Sequence, residues 1–246
     1  MKKQAITLFL FLYSFFSCQN MRIEYDYEVT NTIFNKKFSF PAVLIVDKKG
    51  QKIYSTQFGI IDNEQTEHEN GNVFFLIEQG TYNYVLYANN SNEHIISDEI
   101  EGKKYLFRDS FIPINYQITS ENKIIDNVQL TKAEAEFRGR KYIIWFDSTS
   151  GIKGGPWKFS NLPGIAYEIY DVDNLFRWTL KKIKSTETEI ENPTNNQEFS
   201  NLLSYKEYPK IKYPSEVYIH HENTGGNYNR IEQSRDGLEK VFEWEK

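Results

Sequence analysis

Apolar and polar residues alternate along most of this chain, and the spacing typical of a helix is rare. Ile23, Tyr25, Tyr27 and Val29 share one face of a predicted first strand, and Glu24, Asp26 and Glu28 face water. Phe38 to Val46 reads as a second strand, closed by the turn-forming run Asp47, Lys48, Lys49, Gly50 before a third at Ile53 to Phe58. Asp62 to Asn72 is polar and predicts a loop. Val73 to Ile77 and Thr81 to Ala88 predict a hairpin that ends at Asn89 to Asn92. Shorter strands are expected at Tyr105 to Phe107, Tyr116 to Thr119 and Lys123 to Val128, with Glu121 and Asn122 turning the chain between the last two.

The second half carries stronger signals. Ala133 to Phe137 and Lys141 to Phe146 predict strands around Arg138, Gly139 and Arg140. Between Ser148 and Pro156 stand Gly151, Gly154 and Gly155, a backbone that needs unusual dihedrals or close approach to another element. Trp157 to Leu162 has room for one helical turn before Pro163 and Gly164 break it. Ala166 to Tyr170 and Phe176 to Ile183 then predict a hairpin across Asp171 to Asn174. Lys184 to Gln197, rich in Thr, Glu and Asn, predicts an exposed, mobile connection. The tail predicts a short helix near Phe199 to Tyr205, a strand near Val217 to His220 and a terminal helix or strand at Leu238 to Trp244. The expected fold is mainly β: a single antiparallel, curved sheet or partly open barrel with one or two short helices. An aromatic content of 16%, with 17 Tyr and 18 Phe, favours the same class, since flat rings cover a pleated face.

The N-terminus adds an address. Lys2 and Lys3 precede an apolar run from Ala5 through Phe16, and Ser17 precedes Cys18, the pattern of a signal peptide over residues 1–17. The run falls short of the ~20 residues of a membrane-spanning helix. Cys18 stands where a lipoprotein signal peptidase would leave it as an acylated N-terminus; cleavage after Ser17 or Cys18 by the ordinary peptidase would instead release a free chain. As the only cysteine, it has no disulfide partner within the chain. Residues 18–246 are then one domain of roughly 225 residues, enough to bury about 70% of its unfolded surface. Loss of Lys2 and Lys3 leaves 27 basic against 34 acidic residues, a net charge of −7. That balance lacks the basic stripe of a nucleic-acid-binding protein and the attraction to anionic lipid, so membrane contact is expected only through an anchor at Cys18.

Candidate chemistry is sparse. Arg138 and Arg140 stand at alternate positions on one strand face and could clamp a carboxylate or phosphate, or pair across strands with Glu134, Glu136, Asp147 or Glu168. Trp145, Trp157, Phe159 and Trp178 are candidates for an apolar ligand cleft or for plain core. His68 lies between Glu67 and Glu69, and His220 adjoins His221 and Glu222. Neighbours on a strand point to opposite faces, so no metal site is expected, and no cofactor. Ser148 and Ser150 sit near Asp147 without a G-x-S-x-G elbow or a spaced histidine, so no enzyme is expected, a hydrolase using the 147–156 loop being the alternative.

One segment carries a resemblance. Residues 132–170 hold Gly139, Arg140, Tyr142, Trp145 and Phe146, then Gly155, Pro156, Trp157, Lys158 and Phe159, then Leu162, Pro163, Gly164 and Ile165. These blocks, in this order, resemble the GLPGLI-family proteins of the Bacteroidetes: a G-R-x-[YW]-x-x-W-[YF] strand, a G-P-[WY]-K-F block and the signature itself. Asn161 replaces the first signature glycine, Ala166 its final isoleucine, and Leu130 a frequent cysteine. The resemblance implies an exported protein of a Gram-negative envelope, in the periplasm or anchored at the outer membrane, with an outer-membrane receptor as a partner, and it carries over no catalytic residue. A looser likeness, at the level of a curved sheet over an apolar interior, is to the periplasmic lipoprotein-localisation carriers. The function expected is a non-catalytic binding or carrier module for an apolar ligand, or a receptor partner; a structural subunit of an envelope assembly is the remaining reading. Within the signature, Pro163 and Gly164 are expected to reverse the chain and dock Leu162 and Ile165 in the core.

Overall fold

Tyr25 and Tyr27 are buried where Glu24, Asp26 and Glu28 are not, and this two-residue period, repeated strand after strand, builds one face into a core. The structure, a computed structural model, describes residues 19–31, 36–59, 81–88, 93–100, 102–195, 202–213, 217–220, 228–231, 235 and 237–245. The strands are β1 (Asn20–Asn31), β2 (Lys36–Val46), β3 (Lys52–Gly59), β4 (Thr81–Ala88), β5 (Glu93–Ile100), β6 (Lys103–Ser110) and β7 (Tyr116–Ile125). They continue as β8 (Val128–Phe137), β9 (Arg140–Asp147), β10 (Ile165–Asp171), β11 (Phe176–Thr186), β12 (Leu202–Ser204), β13 (Val217–His220) and β14 (Tyr228–Ile231). Helix α1 is the five residues Tyr208–Lys212. Twelve strands form one open, curved sheet in the order β12-β6-β5-β4-β3-β2-β1-β11-β10-β9-β8-β7, and β13 pairs with β14 apart from it. All neighbours in the large sheet are antiparallel except β12, which runs parallel to β6. The mainly β, curved-sheet expectation is met.

Register shifts at Glu24/Tyr25, Ala166/Glu168 and Ile118/Asn122 add local twist and help the sheet curl. The concave face holds one continuous core, from Phe107 on β6 through Ile96, Leu44, Ile23, Trp178 and Ile169 to Ile144 on β9. Three segments fill it: the glycine-rich loop between β9 and β10, the stretch around Tyr205 and Tyr208, and the C-terminal segment with Phe242.

Several expectations are corrected. Tyr116–Ile125 is one strand with a bulge, and the turn lies at Asp126 and Asn127, both at positive φ (48° and 63°). A two-residue hairpin loop matching the strand twist needs positive φ at both positions, and Asp and Asn tolerate it better than the Glu121-Asn122 pair. Trp157 to Leu162 makes no helix: Trp157 sits at φ 52°, and two tight turns follow, Phe159 N–H to Pro156 O (3.2 Å) and Leu162 N–H to Phe159 O (3.4 Å). The tail helix lies later than its pattern predicts. Leu202–Ser204 is a strand; the Ser204 hydroxyl then accepts from Lys206 N–H, and Pro209 sits in the first turn of α1, where its missing N–H costs nothing. Glu93–Ile100, half polar, carried no strand prediction. Lys184, Ser185 and Thr186 are strand residues paired with β1, and only 187–195 of the predicted connection runs exposed or half-exposed outside the sheet. Leu238 to Trp244 is irregular until a 3-10 turn at Glu243–Glu245. The signal peptide with Cys18, the 62–72 loop, the 73–77 strand, His68 and His221 lie outside the described residues.

The expected docking of Leu162 and Ile165 in the core is seen. Leu162 and Ile165 are each 1% exposed and Pro163 is exposed. Gly164 lies so near β9 that a Cβ there would stand 2.0 Å from the Asp147 carbonyl oxygen. Gly164→Ala should therefore cost about 3 kcal/mol or more in urea unfolding, as overpacking against rigid backbone does, and Pro163→Ala within about 1 kcal/mol; equal losses would mean that close approach is not the constraint.

Candidate functional site

The two-residue turn that joins β8 to β9 places Arg138 (φ 44°) and Gly139 (φ 80°) in left-handed conformations and turns the Arg138 side chain inward. Its guanidinium makes a bidentate pair with Asp109 of β6 (Nη1–Oδ2 3.0 Å, Nη2–Oδ1 3.2 Å), also pairs with Glu239, and donates Nε–H to Glu243 at 3.1 Å. Lys158 of the glycine-rich loop reaches the same two carboxylates, Asp109 at 2.8 Å and Glu239 at 2.6 Å, and the Tyr205 hydroxyl donates to the other Glu239 oxygen. Burial would raise the Asp109 carboxyl, but Lys158 and Arg138 outweigh it and hold it below the usual carboxylate range. Tyr205, Phe242 and Trp244 surround the guanidinium at 5.3–5.4 Å. Two buried cations thus meet two buried carboxylates, with Glu243 at the rim.

Arg140 makes a second pair: Nη1 with Asp171 at 2.6 Å and Nη2 with the Gly237 carbonyl at 2.7 Å. Two residues on, the Tyr142 hydroxyl donates to the Leu238 carbonyl at 3.0 Å. The G-R-x-Y block therefore grips residues 237 and 238, and the Lys240 and Val241 N–H groups donate to the Arg138 carbonyl. The expectation for the two arginines is corrected in both forms. Neither is an open anion clamp, and their carboxylate partners come from β6, the end of β10 with the turn that follows it, and the C-terminal segment rather than from Glu134, Glu136, Asp147 or Glu168.

Pinned this way, the C-terminal segment forms one side of a cleft of about 240 Å³ over the concave face. Tyr27, Tyr54 and Tyr84 of β1, β3 and β4, Trp157 of the glycine-rich loop, Tyr205, Tyr208 and Tyr213 around α1, and Leu238 and Glu239 of the C-terminal segment line it. The rings are ordered against one another, Trp157 on Trp178 at 6.3 Å, Trp178 on Tyr27 at 4.7 Å and Tyr205 on Tyr208 at 4.6 Å, each pair near parallel. Of the four aromatic candidates only Trp157 lines the cleft. Trp178 is one ring behind it, donating its indole N–H to the Tyr54 hydroxyl at 3.0 Å, and Phe159 is core. Trp145 projects from the other face of the sheet, under the Lys123 ammonium at 4.4 Å. Asp98, Lys212, Tyr84 and the tyrosines around α1 carried no pattern that singled them out, because they meet only where the β4–β5 strands face the segment around α1, more than 100 residues further along the chain.

The cleft's charges are internally matched. Asp98 accepts from the Tyr208 hydroxyl at 3.1 Å and pairs with Lys212 at 3.6 Å, although burial keeps its carboxyl above the ordinary range. Burial pushes the phenols of Tyr84, Tyr205 and Tyr208 far up, so all three remain protonated. Outside the cleft, the Asp147 carboxylate caps its own turn through Thr149, and the Ser150 hydroxyl accepts from Ile152 N–H. Among the described residues no group of three His, Cys, Asp or Glu is placed to hold a metal. A wider hollow of about 630 Å³ beside Gln19, Lys48 and Glu189 is polar and lacks an aromatic wall.

No protein-family model matches the chain, and no curated protein matches it. Among solved structures, PNGF-II in a C2 crystal form is similar with a TM-score of 0.50 and 13% identity, over 84% of this chain and 36% of that one. A P21 form of PNGF-II gives 0.48 and 13%, over 85% and 38%. A LolA superfamily protein, NE2245 from Nitrosomonas europaea, gives 0.25 and 12%, over 85% and 80%. The chain thus spans little more than a third of the PNGF-II chains. The first likeness concerns the fold alone, and the other two are too distant to bear on fold or function. No helix among the described residues is long and apolar enough to cross a membrane.

His94 of β5 faces Asp109 across the strand pair, is 2% exposed and has no partner at Nε2. Burial first, then the nearby Lys158, pushes its imidazole down to about 3. The unfolded chain, with an ordinary histidine near 6.5, binds the proton that the folded chain refuses, so stability is full above pH 6.5 and falls as pH drops toward 3. At pH 5 the loss should be ~2 kcal/mol. His94→Phe should remove that part of the difference between unfolding free energies at pH 7.5 and pH 5; an unchanged difference would place the acid sensitivity elsewhere.

Proposed function

We propose that this protein is a GLPGLI-type binding protein, exported to the envelope, that holds a small and mainly apolar ligand in the aromatic cleft. The observation that carries the reading is the cleft's lining: aromatic side chains make up about half of it, and each charged group in it is already paired. Such a lining favours an uncharged occupant, because an ion would have to break a buried pair to find a counter-charge. The volume of about 240 Å³ lies below the ~300–1,000 Å³ of sites for drug-sized molecules. It suits a single ring, or the apolar end of something larger, rather than a whole lipid. In the 147–156 loop the Asp147 carboxylate and the Ser150 hydroxyl are engaged in turns, which favours binding over hydrolysis. The leader pattern through Ser17, with Cys18 as anchor, supports residence in the periplasm or at the outer membrane, where a receptor would be the partner.

Nile red titrated into the purified chain should bind once per molecule with a fluorescence rise. Leu238→Trp, which narrows the opening while keeping the Leu238 carbonyl that Tyr142 holds, should weaken it at least ~10-fold with little change in Tm, as loss of one well-packed contact of ~1.4 kcal/mol would. Equal affinity in the variant would move the binding surface elsewhere. Intact mass spectrometry of protein extracted from its native membranes should find a chain that starts at Cys18 and carries acyl mass; an unmodified chain in the soluble fraction would make it a diffusible periplasmic protein.

A further inference from the structure

The cleft holds one unanswered polar group. The hydroxyl of Tyr84 is buried at its wall with no acceptor for its proton, whereas the hydroxyls of Tyr205 and Tyr208 donate to Glu239 and Asp98. The Trp157 indole N–H is placed to donate to the Tyr84 oxygen, which leaves the hydroxyl's own proton without an acceptor. An indole N–H is in any case only a donor, so what Tyr84 lacks is an acceptor for its own proton. A buried hydroxyl left without an acceptor is destabilising, and folded proteins seldom keep one outside a site that a ligand or water completes. The cleft is the adjacent space from which an acceptor can come. An anion would supply one, but Glu239 and Asp98 stand nearby and already raise the Tyr84 phenol after burial does, so a negative partner would be repelled.

The shape narrows the choice further. The rings on the two sides are stacked in near-parallel pairs, Trp157 with Trp178 and Tyr205 with Tyr208, and their remaining faces and edges are what a ligand meets. Another flat ring gains from such walls through face and edge contacts that an alkyl chain of equal area does not make. We infer that the ligand of this cleft is a neutral aromatic molecule bearing an oxygen acceptor, of the phenol or aryl ketone class, seated between the ring pairs with its oxygen on Tyr84. The inference rests on the binding reading above and adds the ligand's chemistry to it.

Calorimetric titration of the full mature chain with 4-ethylphenol, ethylbenzene, 1-octanol and tetramethylammonium separates the possibilities. The phenol should bind tightest, with ethylbenzene and octanol each weaker by roughly 3- to 10-fold for want of the oxygen or the ring. Tyr84→Phe should erase the advantage of ethylphenol over ethylbenzene and leave the ligand-free Tm equal or higher, because the variant discards a hydroxyl that the empty protein cannot satisfy. Octanol or tetramethylammonium binding tightest, or an advantage of ethylphenol unchanged in Tyr84→Phe, overturns the inference. A lower ligand-free Tm with all ligands weakened in parallel shows a structural role for the hydroxyl and overturns it too. Octanol binding without binding of ethylphenol or ethylbenzene refutes the aromatic class alone; failure of every probe, Nile red included, refutes the binding reading with it.

Discussion

The arrangement depends on one buried charge cluster. Arg138 belongs to the hairpin of β8 and β9, near one end of the sheet order, and Asp109 to β6, near the other. A twelve-stranded sheet can bring such residues into a bidentate pair only by curling until its ends face each other. Lys158 and Glu239 complete the junction from the glycine-rich loop and the C-terminal segment, so four separate parts of the chain meet at one set of atoms. Charges this deep gain little net stability over a well-packed apolar substitute, yet removing one partner strands the others at about 3–5 kcal/mol. The cluster thus acts chiefly to specify: a loop or tail docked out of place would leave a buried ion unmatched.

The glycine-rich loop is the second half of that specification. Gly164 lets the chain lie against the Asp147 carbonyl, and Gly154, at φ 111°, exchanges backbone hydrogen bonds with Gly164 and Ala166. Held there, the loop drives Phe159 and Leu162 into the core and delivers Lys158 to the cluster and Trp157 to the cleft. Lys52, whose ammonium is driven down to about 8 by burial, donates to the Ser160 carbonyl beneath it. The loop is a plug whose backbone, more than its side chains, decides where it sits.

Much of the sheet was legible because period-two alternation reports burial directly: Thr81 to Ala88 was placed to the residue, and the first three strands to within three residues at each end. What escaped notice had a physical cause in each case. β5 mixes His94, Asp98 and Glu99 into its pattern because Asp98 and His94 are buried against partners or rings far away in sequence, which no local window contains. Arg138 and Arg140 drew attention correctly as a constrained pair, but their partners lie 29 to 105 residues away. The aromatic candidates were recognisable as core formers. That Trp157 alone would border open space was not, since the difference between a packed ring and a cleft wall depends on what the tail places opposite it.

The same geometry explains why the cleft is so evenly neutral. Glu239 belongs both to the cluster and to the cleft's border, one oxygen toward Arg138 and Lys158 and the other taken by the Tyr205 hydroxyl. Its charge is spent on closing the sheet, so the cleft inherits a satisfied carboxylate rather than a reactive one. Tyr205 in turn stacks on Tyr208, whose hydroxyl donates to Asp98, so two hydrogen bonds to buried carboxylates are tied together by a pair of rings. Both bonds take up groups of the cleft wall, whereas the Tyr84 hydroxyl proton has no acceptor among the described residues. On the binding reading proposed above, such a surface would discriminate by shape and by a single hydrogen bond, the two quantities that a curled sheet with a pinned tail can hold constant without further machinery.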